Sequence, residues 1–109
     1  MKDPLYKLEI FVPEDHFDLI CQALWSVDAG HIGRYDRCLS WSRVSSCWRS
    51  LDGSKPYNGK PGQLTWAEEI KVEVCCLESR LTETLTTVKQ AHPYEEPVIN
   101  VLPMAGTGL

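Results

Sequence analysis

Two short stretches concentrate the side chains that could do chemistry. Gly30-His31-Ile32-Gly33-Arg34-Tyr35, followed by Cys38, carries an imidazole, a guanidinium, a phenol and a thiol. His92-Pro93-Tyr94-Glu95-Glu96-Pro97 carries a second imidazole, another phenol and two carboxylates. His31 and His92 with Glu95 and a nearby Cys38 form a donor set suited to a divalent metal. The same residues admit a plainer role. A histidine at a helix C-terminus is favoured by the dipole and the free carbonyls, and glycine or proline beside it is an ordinary stop signal.

Charge marks a further candidate. Between Arg34 and Lys60 stand six basic residues, Arg34, Arg37, Arg43, Arg49, Lys55 and Lys60, against only Asp36 and Asp52. The remainder carries five basic and 13 acidic residues, which returns the overall charge of -4. Tyr35, Trp41, Trp48, Tyr57 and Trp66 are interleaved with the basic residues or lie close by. A basic, aromatic loop on a folded scaffold can hold a small anionic ligand. Arg34, Tyr35 and Arg37, with Tyr94 and Glu96 of the second stretch, are the ligand-binding candidates. The alternative is an aromatic cluster covering an open sheet face, with the arginines solvated. Nucleic acid is disfavoured as a partner by the acidic balance. No P-loop, GxGxxG, HExxH or GxSxG occurs, and no nucleophile with a positioned base is legible. A non-enzymatic protein is the expectation.

The elements that must position these residues follow from periodicity. Leu5 to Val12 alternates as a strand, and Pro13 stops it. Phe17, Ile20, Cys21, Leu24 and Val27 then fall on one helical face. Gly30 is a candidate C-cap. Tyr35 to Val44 reads as a second strand, and Ser45 to Trp66, rich in Gly, Pro, Ser and Asn, as a long loop. Glu69 to Leu77 alternates clearly. A second helix starts near a Ser79 cap, buries Leu81, Leu85, Val88 and Ala91, and ends at His92-Pro93. Pro97 to Pro103 is a final strand, with prolines that favour an edge. Residues 1–104 make one domain, and 105–109 a loose tail.

The order β-α-β-β-α-β is the ferredoxin-like split arrangement, an α+β fold with two helices on one face of a four-stranded sheet. Right-handed crossovers are expected to set the first and third strands side by side and parallel. Both helices would then end at one rim, bringing His31 and His92 together. The other sheet face, with Phe11, Ile99, Val101 and tryptophans as candidates, would be apolar and favour self-association.

At 109 residues, 43% hydrophobic and 24% charged, the chain has the size and composition of one globular domain. No apolar run approaches the ~20 residues of a membrane helix. Met1-Lys2-Asp3-Pro4 lacks a signal core. Five cysteines, without C-x-x-C spacing, read as reduced thiols. A cytoplasmic location is expected.

Three pieces together carry a resemblance: Gly30-His31-Ile32-Gly33-Arg34-Tyr35 with Cys38, Pro56-Tyr57-Asn58-Gly59 with Gly62, and His92-Pro93-Tyr94-Glu95-Glu96-Pro97. From about Tyr6 to Pro103 the chain resembles the insert domain of the YqfO-type Nif-three-like proteins, which also occurs as a stand-alone small protein. That resemblance implies a PII/CutA-like version of the ferredoxin fold and a homo-oligomer, with a trimer favoured. It implies that the long loop handles a ligand or protein partner. A CutA-like divalent-metal protein using His31, His92, Glu95 and Cys38 is the alternative. The larger dinuclear-metal domain of those proteins has no counterpart in these residues, so its ligands do not transfer. One departure is Ser45-Ser46-Cys47-Trp48-Arg49, where the family usually has a glycine-rich stretch with phenylalanine.

Overall fold

Alternating apolar residues build the sheet, and a 3.6-residue period builds its cover. A computed structural model describes residues 3–108. Residues 1, 2 and 109, on which the start of the Met1-Lys2-Asp3-Pro4 stretch and the last residue of the expected tail fall, lie outside the described residues. Strand β1 is Leu5–Val12, helix α1 Phe17–Ser26, strand β2 Ser40–Arg49, strand β3 Leu64–Leu77, helix α2 Leu81–Ala91 and strand β4 Ile99–Met104. Each helix is entered through a short 3-10 turn, Glu14–His16 and Glu78–Arg80. The sheet order is β2-β3-β1-β4. This is the expected ferredoxin-like α+β fold, with β4 at an edge.

Leu8, Ile10 and Val12 of β1 and Ile70, Val72, Val74 and Cys76 of β3 point to one face and are buried. Ile20 and Leu24 of α1 and Val88 of α2 close over them. Cys75, next to buried Cys76, is only partly buried, as alternation requires. Ser79 does not cap α2; Arg80 holds that position, and Ser79 hydrogen-bonds Asp3 instead.

Three expectations are corrected. First, β1 and β3 are adjacent but antiparallel, with Lys7 opposite Cys75 and Phe11 opposite Lys71. A helical return makes β2 run with β1, and the β2–β3 hairpin reverses the chain once more. β3 therefore opposes both neighbours, and the two helices end at opposite ends of the sheet. Second, the centre of the face away from the helices is charged rather than apolar, although Phe11 does lie on that face, opposite Lys71. Lys7 pairs with Glu73, Lys71 with Glu9, and Asn100 hydrogen-bonds Glu9. Ile99 and Val101 sit on the helix side, opposite Ile10 and Leu8. Third, β2 starts five residues later than Tyr35, and eight of the 22 residues of the expected loop are strand. β2 runs to Arg49 and β3 begins at Leu64, so the connection is residues 50–63. Cross-strand pairing overrides the low strand propensity of Ser45 and Ser46.

Because Val12 pairs with Ile70, the hairpin continues past the end of β1. The molecule measures 48 × 24 × 24 Å. No helix among the described residues is long and apolar enough to cross a membrane.

Gly30 joins the post-helix loop to the sheet. Its N–H donates to the Cys75 carbonyl at 2.8 Å, and its carbonyl accepts from the Cys38 N–H at 2.9 Å. Its φ is +84°, and a Cβ there would stand 2.2 Å from the Cys38 carbonyl oxygen. Gly53 has a similar φ of +88° but open space around it. Gly30→Ala should therefore cost about 2–4 kcal/mol in urea unfolding, and Gly53→Ala about 1 kcal/mol. Equal losses would show that backbone conformation alone, without the Cys38 contact, sets the cost.

Candidate functional site

The antiparallel centre divides the predicted residues into two groups. His31, Arg34, Tyr35, Arg37 and Cys38 follow α1, beside the Lys7–Cys75 end of the central strands. His92, Tyr94, Glu95 and Glu96 follow α2, beside the Phe11 end. Four residues of β1 separate those ends, about 13 Å at strand rise. His31 and His92 do not share a rim, and the metal set of His31, His92, Glu95 and Cys38 does not converge. Among the described residues no group of three or more His, Cys, Asp or Glu could hold a metal ion. The arginines do not converge either. Arg37 lies over the Trp25 ring, 5.4 Å from its centroid, whereas Arg43 pairs with Glu14 near the opposite end. His31 stays at the surface and bonds Asp28 at 3.0 Å.

The second group builds a site. α2 ends in His92, whose residue exposure is only 7%. Its Nε2–H donates to the Phe11 carbonyl at 2.7 Å, and its Nδ1 accepts from the Tyr94 N–H at 3.2 Å. This pairing requires the neutral ring with its proton on Nε2. Burial, the largest cause, holds the His92 pKa below the ordinary 6.5 against the favourable Phe11 bond and the nearby Glu69 charge. The clamp swings Pro93-Tyr94-Glu95 across the end of β1 to the sheet face away from the helices.

There Tyr94 meets the hairpin. Its hydroxyl donates to Glu69 of β3 at 2.7 Å. Burial first, then that hydrogen bond, pushes the Tyr94 phenol far above its usual range. Its ring lies 6.0 Å from that of Trp48 and 5.8 Å from that of Tyr57. Tyr57 in turn packs edge-on to His16 and donates to Asp15 at 3.0 Å. The 50–63 connection is tied back by the Lys55 N–H, which donates to Glu95 Oε1 at 2.9 Å.

These contacts enclose a cleft of about 520 Å³. Phe11 and Glu69 form its sheet side, Trp48, Tyr57 and Tyr94 its aromatic walls, and Glu95 and Glu96 lie toward solvent. Of the candidates named from sequence, Tyr94, Glu95 and Glu96 line it, and Arg34, Tyr35, Arg37, His31 and Cys38 do not. Sequence reading missed Glu69 and Trp48 as site residues. The only sequence signal for Glu69 was an acidic residue at the start of a strongly apolar alternation.

Protonating His92 would turn Nδ1 into a donor facing the Tyr94 N–H, so the folded state resists the proton. Between the depressed folded pKa and 6.5 the unfolded chain binds more protons than the folded one, and stability falls as pH drops. Urea titrations from pH 7.5 to 5 should show this loss. His92→Gln should be less stable at pH 7.5 and should flatten the slope in that window. An unchanged slope would assign the pH dependence to other groups.

No family model matches the chain. Over 106 residues, 97% of the chain, it is 37% identical to a GTP cyclohydrolase 1 type 2 homolog of Halalkalibacterium halodurans, of which it covers 28%. It is 33% identical over 105 residues to the protein of the same name in Bacillus subtilis, again covering 28%. The chain thus spans less than a third of the length of these relatives. A Bacillus cereus protein related to NIF3 superposes with a TM-score of 0.84 at 30% identity, over 95% of this chain and 26% of that one. CutA from Archaeoglobus fulgidus gives a TM-score of 0.70 at 18% identity, over 94% of this chain and 86% of that one. At that identity the likeness shows the fold, and B. subtilis GlnK, at 0.65 and 18%, shows the same fold over 94% and 86%. By sequence along nearly its whole length and by fold, the chain is similar to one segment of these GTP cyclohydrolase 1 type 2 homologs and of the NIF3-related protein, and that segment shares its fold with CutA and GlnK.

Proposed function

We propose that this chain is a non-enzymatic binding or regulatory module that works as an oligomer, with three copies as the favoured state. The observation that carries the reading is the aromatic cleft at the base of the hairpin, closed by the His92-clamped Tyr94 segment. A cleft of about 520 Å³ with aromatic walls and a few polar groups is of the size and character that takes a small molecule. Cleft-lining Ser46, Ser50, Ser54 and Cys47 make no hydrogen bond to a histidine among the described residues, so a nucleophile–base pair finds no support there. The cyclohydrolase wording belongs to relatives more than three times as long, and no activity is transferred from it.

The oligomer is supported by the projecting hairpin. Trp66 is 73% exposed and Leu64 54% exposed, beyond the reach of either helix. Apolar side chains on a projecting two-stranded ribbon are natural contact points for a second copy. On this reading the self-association surface is the hairpin rather than the broad sheet face, whose centre is charged. A cytoplasmic location is part of this proposal, supported by five cysteines without C-x-x-C spacing.

Two measurements test this reading. Light scattering on a size-exclusion column should give about three times the 12.4 kDa chain mass, and Trp66→Asp should shift it toward one. A monomer at micromolar concentration sinks the oligomer. A thermal-shift panel of amines, nucleotides, phosphorylated metabolites and divalent metals should contain a hit that Trp48→Ala abolishes. A ligand at 100 times its Kd adds ~2.7 kcal/mol. A hit lost instead in Arg34→Ala or Arg37→Ala would move the site to the other end of the sheet, and a panel without hits rejects the cleft.

A further inference from the structure

Glu69 is a carboxylate in an unusual position. The residue is 6% exposed, yet it lines the cleft. One oxygen, Oε2, accepts from the Tyr94 phenol. Among the described residues no lysine, arginine or histidine forms an ion pair with it. A buried carboxylate without a cation is costly, because one neutral hydrogen bond replaces only part of its lost hydration. Neighbouring Glu68 illustrates the contrast, since it is exposed and takes a hydrogen bond from Ser45.

The rest of the cleft fits the missing charge. Trp48, Tyr57 and Tyr94 present aromatic rings, whose faces attract cations. Phe11 and Val98 supply apolar surface for methylene groups. Glu95 and Glu96 stand at the exposed side, and Glu95 already accepts from Lys55 through one oxygen. Three carboxylates against one guanidinium, Arg49, line the whole. An anion would meet net like charge here.

We propose that the cleft binds a small aliphatic amine of diamine size, one ammonium on Glu69 and the other toward Glu95 and Glu96. This rests on the reading of the chain as a ligand-binding module and names the ligand class of that cleft. A primary ammonium has three N–H donors. One reaches the free oxygen of Glu69, and the charge meets the aromatic faces. The carbon chain lies along Phe11 and Val98. A quaternary ammonium would keep the aromatic attraction but offer Glu69 no donor, so N–H amines are preferred.

The test is isothermal titration of the full, reduced chain at pH 7.5 and low salt with 1,4-diaminobutane, hexamethonium and 1,4-butanediol. Saturable binding of 1,4-diaminobutane is expected. Hexamethonium should bind at least tenfold more weakly, and the diol should not bind. Glu69→Gln keeps the shape and the Tyr94 contact but should weaken 1,4-diaminobutane at least tenfold, and Trp48→Ala provides a second variant that leaves Glu69 in place and should also weaken it. Urea midpoints confirm that both variants are folded. Absence of saturable binding, equal affinity of Glu69→Gln, or equal affinity of hexamethonium overturns the proposal. If 1,4-diaminobutane fails while a nucleotide or phosphorylated metabolite binds and Trp48→Ala abolishes that binding, the amine falls and the module reading stands. If nothing in the thermal-shift panel binds either, both fall.

Discussion

Strand β3 is the constraint on which the rest of the molecule depends. Its 14 residues hydrogen-bond β1 along one edge and β2 along the other, antiparallel to both. Antiparallel pairing at both edges follows from chain reversal. α1 carries the chain back before β2, and the hairpin turns it again before β3. One consequence is geometric: the two helices leave the sheet at opposite ends. The two histidine motifs are therefore separated, although each follows a helix.

The length mismatch between β3 and β1 creates the site. Pro13 ends β1, since proline cannot donate to the ladder, and β3 extends six residues beyond the last pair, Val12 with Ile70. The open end leaves the Phe11 carbonyl available to His92 and gives the chain after α2 a place to cross. Tyr94 then lies against the hairpin, and Lys55 joins the connection to Glu95. Local stability, ring tautomer and cleft shape are thus coupled through one buried imidazole. Neutral His92 satisfies both of its nitrogens, which explains why burial, rather than a charged partner, governs its proton.

The charged lattice on the open sheet face answers a different problem. Lys7, Glu9, Lys71 and Glu73 alternate in sign across β1 and β3 and keep that face wet. These half-buried pairs still lie at the surface, where an ion pair contributes little energy. Their effect is to deny a second sheet an apolar surface. Leu64 and Trp66 on the hairpin are among the exposed apolar side chains that remain.

Much of this was legible in the chain. The periods of Leu5–Val12, Ile70–Cys76 and the two helical faces depend on neighbours in sequence, so element type, order and the ferredoxin-like fold could be read directly. The stretch His92-Pro93-Tyr94-Glu95-Glu96-Pro97 could be singled out too, because it combines a helix stop with clustered polar groups. The seryl half of β2 was not, since Ser45 and Ser46 become strand only through pairing with Glu68 and Ala67. Nor was the position of Glu69 in the cleft, where its hydrogen-bond partner Tyr94 comes from 25 residues away. Sequence alone determined the elements, the apolar faces and one of the two candidate motifs, because those are set by local spacing. Only the tertiary structure decided strand direction, which end each histidine occupies and which carboxylate lies in the cleft, because each depends on long-range pairing across β3.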